Sequence, residues 1–367
     1  MTRTPELRAE TPPRAAAAGL DPPVDLLSDL LATVHLSGTV LFRAELGEPW
    51  AVAVPEARDL ASLLPFRTEH VVPFHLVDEG RCWIELDQGQ RVSLGPGEAV
   101  LLPHGAAHLL GAGGAARVAP VGTLLPRPPW PDTPRLRHGG QGAPTRIVCG
   151  FVHCEELLFN PFLGGLPALL HARPGADPAA RWLETTLRYT AHEAARADPG
   201  ARSTLPRLTE LMFVEVLRHH MHTLRGGEIG WLAAAADPIL GQALGRLHQA
   251  PAAPWTVDAL ARQVGVSRTV LAERFAARLG QPPMRYLARW RLQIGARLLE
   301  TTVAPLKVVA AQAGYDSEAA FGRAFKRLFG VPPADWRRRQ RHGAPLAARG
   351  RPGDAPAAAA LPRRARR

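Results

Sequence analysis

The chain has 367 residues, 46% of them hydrophobic, and a formal net charge of +11. This length allows two or more domains, and this hydrophobic fraction excludes a chain that is disordered throughout. Residues 237–341 hold 17 Lys and Arg against 7 Asp and Glu, whereas residues 1–236 hold 21 against 25. Basic charge concentrated in one part is typical of a nucleic-acid binder, and the sequence lacks the basic amphipathic helix of a membrane-surface protein.

The cysteines and the apolar runs indicate a cellular compartment. Cys82, Cys149 and Cys154 are too few for a disulfide framework, so we interpret them as reduced thiols and expect a cytoplasmic protein. A redox pair of Cys149 and Cys154 is the alternative to isolated buried thiols. The sequence has no signal-like apolar N-terminus and no apolar run of about 20 residues, so we expect no membrane partner.

The N-terminal part begins with residues 1–22, which are rich in Ala, Pro and Arg and predict a disordered lead. Five apolar residues then predict a short helix: Leu26, Leu27, Leu30, Leu31 and Val34. From about residue 38 to 150, short apolar runs separated by Gly and Pro predict the strands of an all-β barrel or sandwich. These runs cover residues 39–42, 50–54, 70–77, 82–86, 91–94, 99–102 and 147–152.

One motif in this region is specific. Gly97 is followed after five residues by Pro103, after one more by Gly105, and after two more by His108. This spacing resembles the second signature of the cupin superfamily, in which a strand leaves one sheet through a tight turn and presents a His inward. Residues 74–83 also resemble the sensor cupins of transcription regulators. The resemblance implies a cupin-like sensor domain over residues 23–170.

The same resemblance raises the question of a metal site. Metal-dependent cupins use two His and a Glu of their first motif besides the His of the second. No His-x-His followed by a correctly spaced Glu precedes Gly80. His75 and His108 alone would make a weak site, so we expect no metal, no cofactor and no catalysis. We assign these two residues a structural role or contact with an unknown small-molecule effector.

Residues 171–230 are predicted to be a helical linker and dimerisation segment. Apolar residues at helical spacing occur on both sides of an interruption at Asp198, Pro199 and Gly200. A helix pair between two domains is a natural dimer interface. The alternative is that these helices pack on their own barrel. Gly226 and Gly227 are a predicted hinge before the C-terminal domain.

Residues 255–336 contain two copies of one pattern, offset by about 50 residues. Apolar residues at i, i+3, i+4 and i+7 predict a short helix before Gly265 and before Gly314. Each Gly predicts a turn with positive φ, and Ser267 and Ser317 predict the N-caps of second helices. Two helices joined by a Gly-containing turn form a helix-turn-helix unit. A connecting helix over residues 284–300, roughly 25 Å long, would hold two such units near one DNA turn apart.

The second copy carries a distinctive run of residues: Gly314, Tyr315, Asp316, Ser317, Phe321, Arg323, Phe325, Lys326, Gly330 and Pro332. This run resembles the DNA-binding domain of AraC/XylS-type transcription regulators, here over residues 237–338. The family more often has Tyr at the position of Trp336. With the cupin motif, the resemblance covers nearly the whole chain. It implies an α+β multidomain protein with an N-terminal all-β cupin barrel, a helical linker and a C-terminal all-α domain holding two helix-turn-helix units.

The second helix of each unit presents an outward polar face. On the second helix of the first unit, this face is expected to include Arg278. By resemblance, the residues that face bases are Thr269, Ala272 and Glu273 in the first unit and Glu318, Ala319 and Arg323 in the second. Arg323 can form bidentate hydrogen bonds with guanine O6 and N7, so it is the strongest expected base contact. Arg268, Lys326 and Arg327 are expected to contact phosphates.

The sequence therefore predicts a DNA-binding transcription regulator that acts on double-stranded DNA as a homodimer and is not an enzyme. The resemblance also implies activation through contact with RNA polymerase. Two alternatives stay open, a metal-dependent cupin enzyme with an accessory DNA-binding domain and a non-specific architectural DNA protein. Residues 342–367 are predicted to be a disordered basic tail.

Overall fold

The computed structural model of the chain describes residues 25–32, 36–60, 71–87, 89, 91–126, 130, 133–154, 165–173, 175, 178–196, 199–224 and 228–342. The predicted disordered lead and the predicted hinge at Gly226 and Gly227 lie outside these residues. So does the predicted tail beyond residue 342.

The N-terminal part is built from strands. They are β1 (Leu36–Gly47), β2 (Trp50–Val54), β3 (Val71–Glu79), β4 (Cys82–Leu86), β5 (Arg91–Leu94), β6 (Ala99–Leu101), β7 (His108–Ala112), β8 (Val118–Pro120), β9 (Arg135–Gly139), β10 (Pro144–Cys154) and β11 (Leu170–Ala172). Sheet A has six strands in the order β11-β6-β3-β10-β1-β9, and sheet B has five in the order β5-β4-β7-β2-β8.

The inward faces of the two sheets form one hydrophobic core. Trp50 and Ile84 of sheet B and Val77 and Ile147 of sheet A belong to the same buried cluster. Alternate residues of β4 are buried, as expected for a strand with one face on a core. The predicted β-rich cupin region is thus confirmed as two packed sheets.

Four strands have no counterpart among the predicted runs. Strands β8 and β11 have three residues each, too few to show alternation. Strand β7 contains Gly111, which is a weak strand signal, and β9 carries two Arg and one His in five residues. Strand β9 pairs in parallel with β1, so a partner distant in sequence determines its conformation.

The N-terminal part also contains three short helices, α1 (Leu26–Ala32), α2 (Ala57–Leu60) and α3 (Val121–Leu124). Two long helices, α4 (Pro178–Arg196) and α5 (Ala201–Thr223), follow the sheets. Leu187 of α4 and Phe213 of α5 share one buried cluster with Phe74 of sheet A. The main apolar faces of both helices therefore pack on the sheets of the same chain. The sequence left this packing open as the alternative to a dimer interface.

The C-terminal part is helical. Its helices are α6 (Trp231–Ala236), α7 (Pro238–Gln249), α8 (Val257–Gln263), α9 (Arg268–Leu279), α10 (Pro283–Thr301), α11 (Leu306–Gln312), α12 (Glu318–Phe329) and α13 (Pro333–His342). The core around α8 and α9 is continuous with the outer face of sheet A, whereas α11, α12 and α13 have a separate core. Within the described part of the chain, no helix is both long and apolar enough to cross a membrane.

Candidate nucleic-acid interface

The first helix-turn-helix unit consists of α8, a turn and α9. Gly265 has φ +70°, a conformation that Gly adopts without a Cβ clash. The Val266 backbone N–H then donates to Ala261 O at 3.1 Å, which closes the turn. Ser267 Oγ accepts from the Val270 backbone N–H at 3.2 Å, which confirms the predicted N-cap of α9.

The second unit, α11, a turn and α12, repeats this geometry. Gly314 has φ +79°. The Tyr315 backbone N–H donates to Ala310 O at 2.9 Å. Ser317 Oγ accepts from the Ala320 backbone N–H at 3.2 Å, so the second predicted N-cap is also confirmed. The two second helices are thus built and started in the same way.

Buried aromatic side chains fix α12 in its unit. Phe321, Phe325 and Phe329 lie four residues apart and are all buried. The ring of Trp336 lies 5.6 Å from that of Phe325 in a T-shaped arrangement, and Trp336 Nε1 donates to Glu300 Oε1 at 3.1 Å. Trp336 therefore belongs to the core of the second unit.

Helical periodicity defines the surface that each second helix leaves exposed. The positions opposite Leu271 and Phe275 on α9, all exposed, form the first reading face: Thr269, Glu273, Ala276 and Ala277. The positions opposite Phe321 and Phe325 on α12, also exposed, form the second reading face: Ala319, Arg323, Lys326 and Arg327. The two sets correspond residue for residue at the offset of the sequence repeat.

The two reading faces differ in charge. The first contains one carboxylate, that of Glu273, and no cationic side chain. The second contains three cations, those of Arg323, Lys326 and Arg327. Of the two reading faces, the second therefore has the stronger attraction to phosphate.

Three further predicted residues flank these faces. Ala272 is half-buried at the edge of the first face. Arg268 is exposed, with its Nη1 3.9 Å from Asp258 Oδ2. Glu318 is the exposed first residue of α12; it lies three residues before Phe321, about one turn, and is therefore beside the second face and not on it.

The prediction that Arg278 belongs to the outward face is wrong. Its side chain is half-buried and donates through Nη1 to Glu228 O. Arg278 lies seven residues after Leu271, so two helical turns return it to the buried side of α9. Sequence reasoning also missed Ala276 and Ala277, because small apolar residues carry no signal of a binding surface although the helical spacing alone places them there.

His75 and His108 lie inside the sheet pair and bond to each other. His75 Nε2 is 2.7 Å from His108 Nε2, and His75 Nδ1 is 3.0 Å from Cys149 Sγ. His108 Nδ1 lies 2.9 Å from Ala106 O, and a carbonyl only accepts, so this nitrogen carries the proton. This proton sets the direction of every hydrogen bond in the series: Cys149 donates to His75, His75 donates to His108, and His108 donates to the carbonyl.

Burial keeps this chain of hydrogen bonds neutral. It lowers the pKa of His75 well below its usual range and lowers the pKa of His108 to about 4. It also raises the pKa of the Cys149 thiol well above its usual range. All four ring nitrogens of the two histidines already have protein partners.

These residues do not fit the metal site of metal-dependent cupins. A metal ligand must offer a free lone pair, and the acceptor nitrogens of His75 and His108 already receive hydrogen bonds. In the ranges that the structure describes, no group of three or more His, Cys, Asp or Glu is arranged to bind a metal. The two histidines are paired with each other and buried between the sheets.

Comparison with known proteins agrees with this architecture. A cupin model matches residues 25–222, and a helix-turn-helix domain model matches residues 260–339. A putative AraC-like transcription regulator of Streptomyces antibioticus is 32% identical over 324 residues, 87% of this chain and 99% of that protein. The RCS-specific HTH-type transcriptional activator RclR of Escherichia coli is 28% identical over 323 residues, 88% of this chain and 100% of that protein. The chain belongs to the AraC-like transcription regulators, with an N-terminal cupin domain and a C-terminal pair of helix-turn-helix units.

Proposed function

We propose that this regulator recognises one DNA sequence by placing α9 and α12 in successive major grooves of a duplex. The observation that carries the proposal is the pair of equivalent reading faces. Each lies on a helix that a Ser cap starts and that buried side chains fix, and each is exposed. A rigid, exposed second helix is the element that helix-turn-helix proteins insert into the major groove.

The chemistry of the reading faces suggests a role for each residue. Arg323 would bind guanine through O6 and N7, and Glu273 would accept a hydrogen bond from cytosine N4. The small side chains would contact bases by packing: Thr269, Ala272 and Ala319. Of the remaining predicted contacts, Arg268 beside the first face and Lys326 and Arg327 on the second face would bind phosphates, and Glu318 would approach the groove from the start of α12.

The N-terminal part would act as a sensor without catalysis. Its buried histidines are engaged with each other, which favours a packed core over an active centre. We propose three parts with separate roles: a sensor over residues 23–170, a helical segment over residues 171–230 and a DNA-binding domain over residues 237–338. A small-molecule effector would change the DNA affinity by binding one conformation more tightly than another.

Homodimerisation is proposed through the outer side of α4. Trp182 and Tyr189 lie seven residues apart, on one side of the helix, and are 54% and 50% exposed. Exposed aromatic side chains are enriched at protein interfaces.

The relative RclR is named a transcriptional activator. We extend activation, and with it contact with RNA polymerase, to this chain.

Selection from random DNA tests the proposal. The full-length protein would be incubated with a duplex library and the bound fraction sequenced after repeated rounds. We expect enrichment of a motif with two elements about one helical turn apart, because two reading faces contact the duplex. Enrichment of no sequence at physiological salt would overturn sequence-specific binding and would favour an architectural DNA protein.

A further inference from the structure

The two helix-turn-helix units share one long helix but not one core. The N-terminal half of α10 contributes Tyr286 and Trp290 to the core of the first unit. The C-terminal half contributes Leu292 and Ala296 to the core of the second unit. Arg291 lies between Trp290 and Leu292, where the change from the first core to the second begins, and Ile294 still packs on the first core.

Arg291 fastens this boundary to the first unit. Its Nε donates to Pro251 O at 2.7 Å, and its Nη2 donates to Ala253 O at 2.8 Å. Both carbonyls belong to the loop between α7 and α8. A guanidinium presents several donors in a fixed fork, so one side chain can hold two carbonyls in a defined geometry.

The turn of the second unit packs on the same place. A Cβ added to Gly314 would lie 2.8 Å from Ala252 Cα, 2.9 Å from Arg291 Nε and 3.1 Å from Pro251 O. The backbone of Gly314 also has φ +79°. Gly is therefore required both by the turn and by the close approach of the two units. Arg291, the loop of the first unit and the turn of the second unit meet at one junction.

We propose that Arg291 is a positioning residue that sets the orientation of the second reading face relative to the first, and so the spacing between the two DNA elements that the protein accepts. This inference rests on the proposed function, in which both reading faces contact one duplex. Arg291 contacts backbone carbonyls of the loop that leads into the first unit and lies against the turn of the second. It belongs to neither reading face, so it acts on DNA only through the placement of the helices.

The physical consequence concerns helical phase. One inserted base pair moves the second DNA element by about 3.4 Å and rotates it by about 34° around the duplex. A rigid pair of units cannot follow this displacement and loses one set of contacts. Without the two charge-assisted hydrogen bonds of Arg291, the second unit would be held mainly through α10 and would adapt to a wider range of spacings.

The test compares spacing profiles of full-length wild type, Arg291→Met and Arg291→Lys. The probes are the two-element duplex that the wild type selects from a random library and derivatives with one or two base pairs inserted or deleted between the elements. We expect the wild type to lose about tenfold or more in affinity per inserted or deleted base pair. We expect Arg291→Met to bind the selected duplex about tenfold less tightly and to lose less than about threefold on the shifted ones.

Two variants make this result specific. Arg285→Met removes the same charge from an exposed position of α10 and should keep the wild-type spacing profile. Arg291→Lys keeps the charge but not the fork, so it should resemble Arg291→Met, and it provides the test if Arg291→Met does not fold. Circular dichroism of each variant checks the fold.

The outcomes separate the two proposals. A wild type that selects one element only would overturn two-face reading, and with it the role of Arg291. A wild type that selects two elements, together with a folded Arg291→Met or Arg291→Lys variant that keeps the wild-type profile, would overturn the role of Arg291 alone.

Discussion

The hydroxyl of Tyr286 lies 2.8 Å from Nε2 of His248, inside the core of the first helix-turn-helix unit. The same hydroxyl lies 2.8 Å from Nε1 of Trp231, and an indole N–H only donates. Tyr286 therefore accepts from Trp231 and donates to His248, whose ring stacks on Trp290 with the centroids 3.9 Å apart. The other His248 nitrogen, Nδ1, lies 3.7 Å from Asp29 Oδ2, so α1 of the sensor part reaches the DNA-binding part here.

Replacing Tyr286 by Phe should destabilise the protein. The change leaves the buried Trp231 Nε1 and His248 Nε2 without their hydrogen-bond partner, which costs about 1–3 kcal/mol in the free energy of unfolding. Urea denaturation measures this loss. The matched control is Tyr189→Phe on the exposed side of α4, which should stay within about 0.5 kcal/mol of the wild type. Equal stability of both variants would show that the Tyr286 hydroxyl contributes nothing.

Acid should destabilise the fold through its buried histidines. Burial lowers the pKa of His108 to about 4 and that of His248 to about 3, and it lowers the pKa of His75 well below its usual range. The unfolded chain takes up these protons below about pH 6.5, whereas the folded chain does not, so stability falls as the pH falls from 6.5. Above about pH 7.5 these groups contribute almost no slope, because the imidazoles of the unfolded chain are then largely neutral. Between about pH 6.5 and 5 we expect a loss of roughly 1–2 kcal/mol per histidine.

Urea denaturation across this pH range checks the slope. His108→Gln should flatten it, because one of the groups that takes up a proton on unfolding is removed. His192→Gln, at an exposed position of α4, should leave it unchanged. A wild-type free energy of unfolding that is constant between about pH 6.5 and 5 would contradict the expectation.

Arg323 and Lys326 should affect DNA binding in different ways. On the selected duplex, Arg323→Ala should cost about 1–3 kcal/mol and relax the preference at one base pair, because a bidentate base contact is lost. Lys326→Ala should weaken binding to all sequences about equally and reduce the salt slope by about 1, because a phosphate contact is lost. Fluorescence anisotropy at several salt concentrations separates the two effects. A uniform loss for Arg323→Ala would contradict its role in base recognition.

Local features of the DNA-binding part could be predicted from the sequence, whereas contacts between distant residues could not. Gly265, Ser267, Gly314 and Ser317 have the predicted roles because a turn or a cap depends on neighbouring residues. Strand β9 could not be predicted, because its pairing with β1 joins residues about 90 positions apart.

Side-chain contacts between residues distant in sequence could not be predicted either. The bond between His75 and His108 depends on the packing of two sheets. The role of Arg291 also requires the folded chain, since one Arg among many in a basic domain carries no signal of its two carbonyl partners. Helical spacing determines which residues share a reading face, but the partners of Arg278 and Arg291 depend on tertiary structure.

Removing the aromatic pair of α4 should separate the proposed homodimer. The double variant Trp182→Glu, Tyr189→Glu places two carboxylates on each copy at positions where two large rings are about half exposed. Like charges and the lost apolar area both oppose association. We expect the wild type to sediment as a dimer at micromolar concentration and the double variant as a monomer, with the same circular dichroism spectrum. The control, Thr185→Glu, adds one carboxylate at an exposed position on the same helix and should weaken the dimer less.

Loss of the dimer should also weaken DNA binding, because the two copies of the dimer bind one duplex together. A dimer binds two sites on one duplex with a high effective concentration for the second contact, so the monomeric variant should lose affinity for duplexes that carry two copies of the selected site. Its affinity for a single copy should not change, because α9 and α12 are untouched. A double variant that stays dimeric would exclude this side of α4 as the interface. A wild type that is monomeric at every concentration tested, with and without DNA, would exclude the homodimer itself.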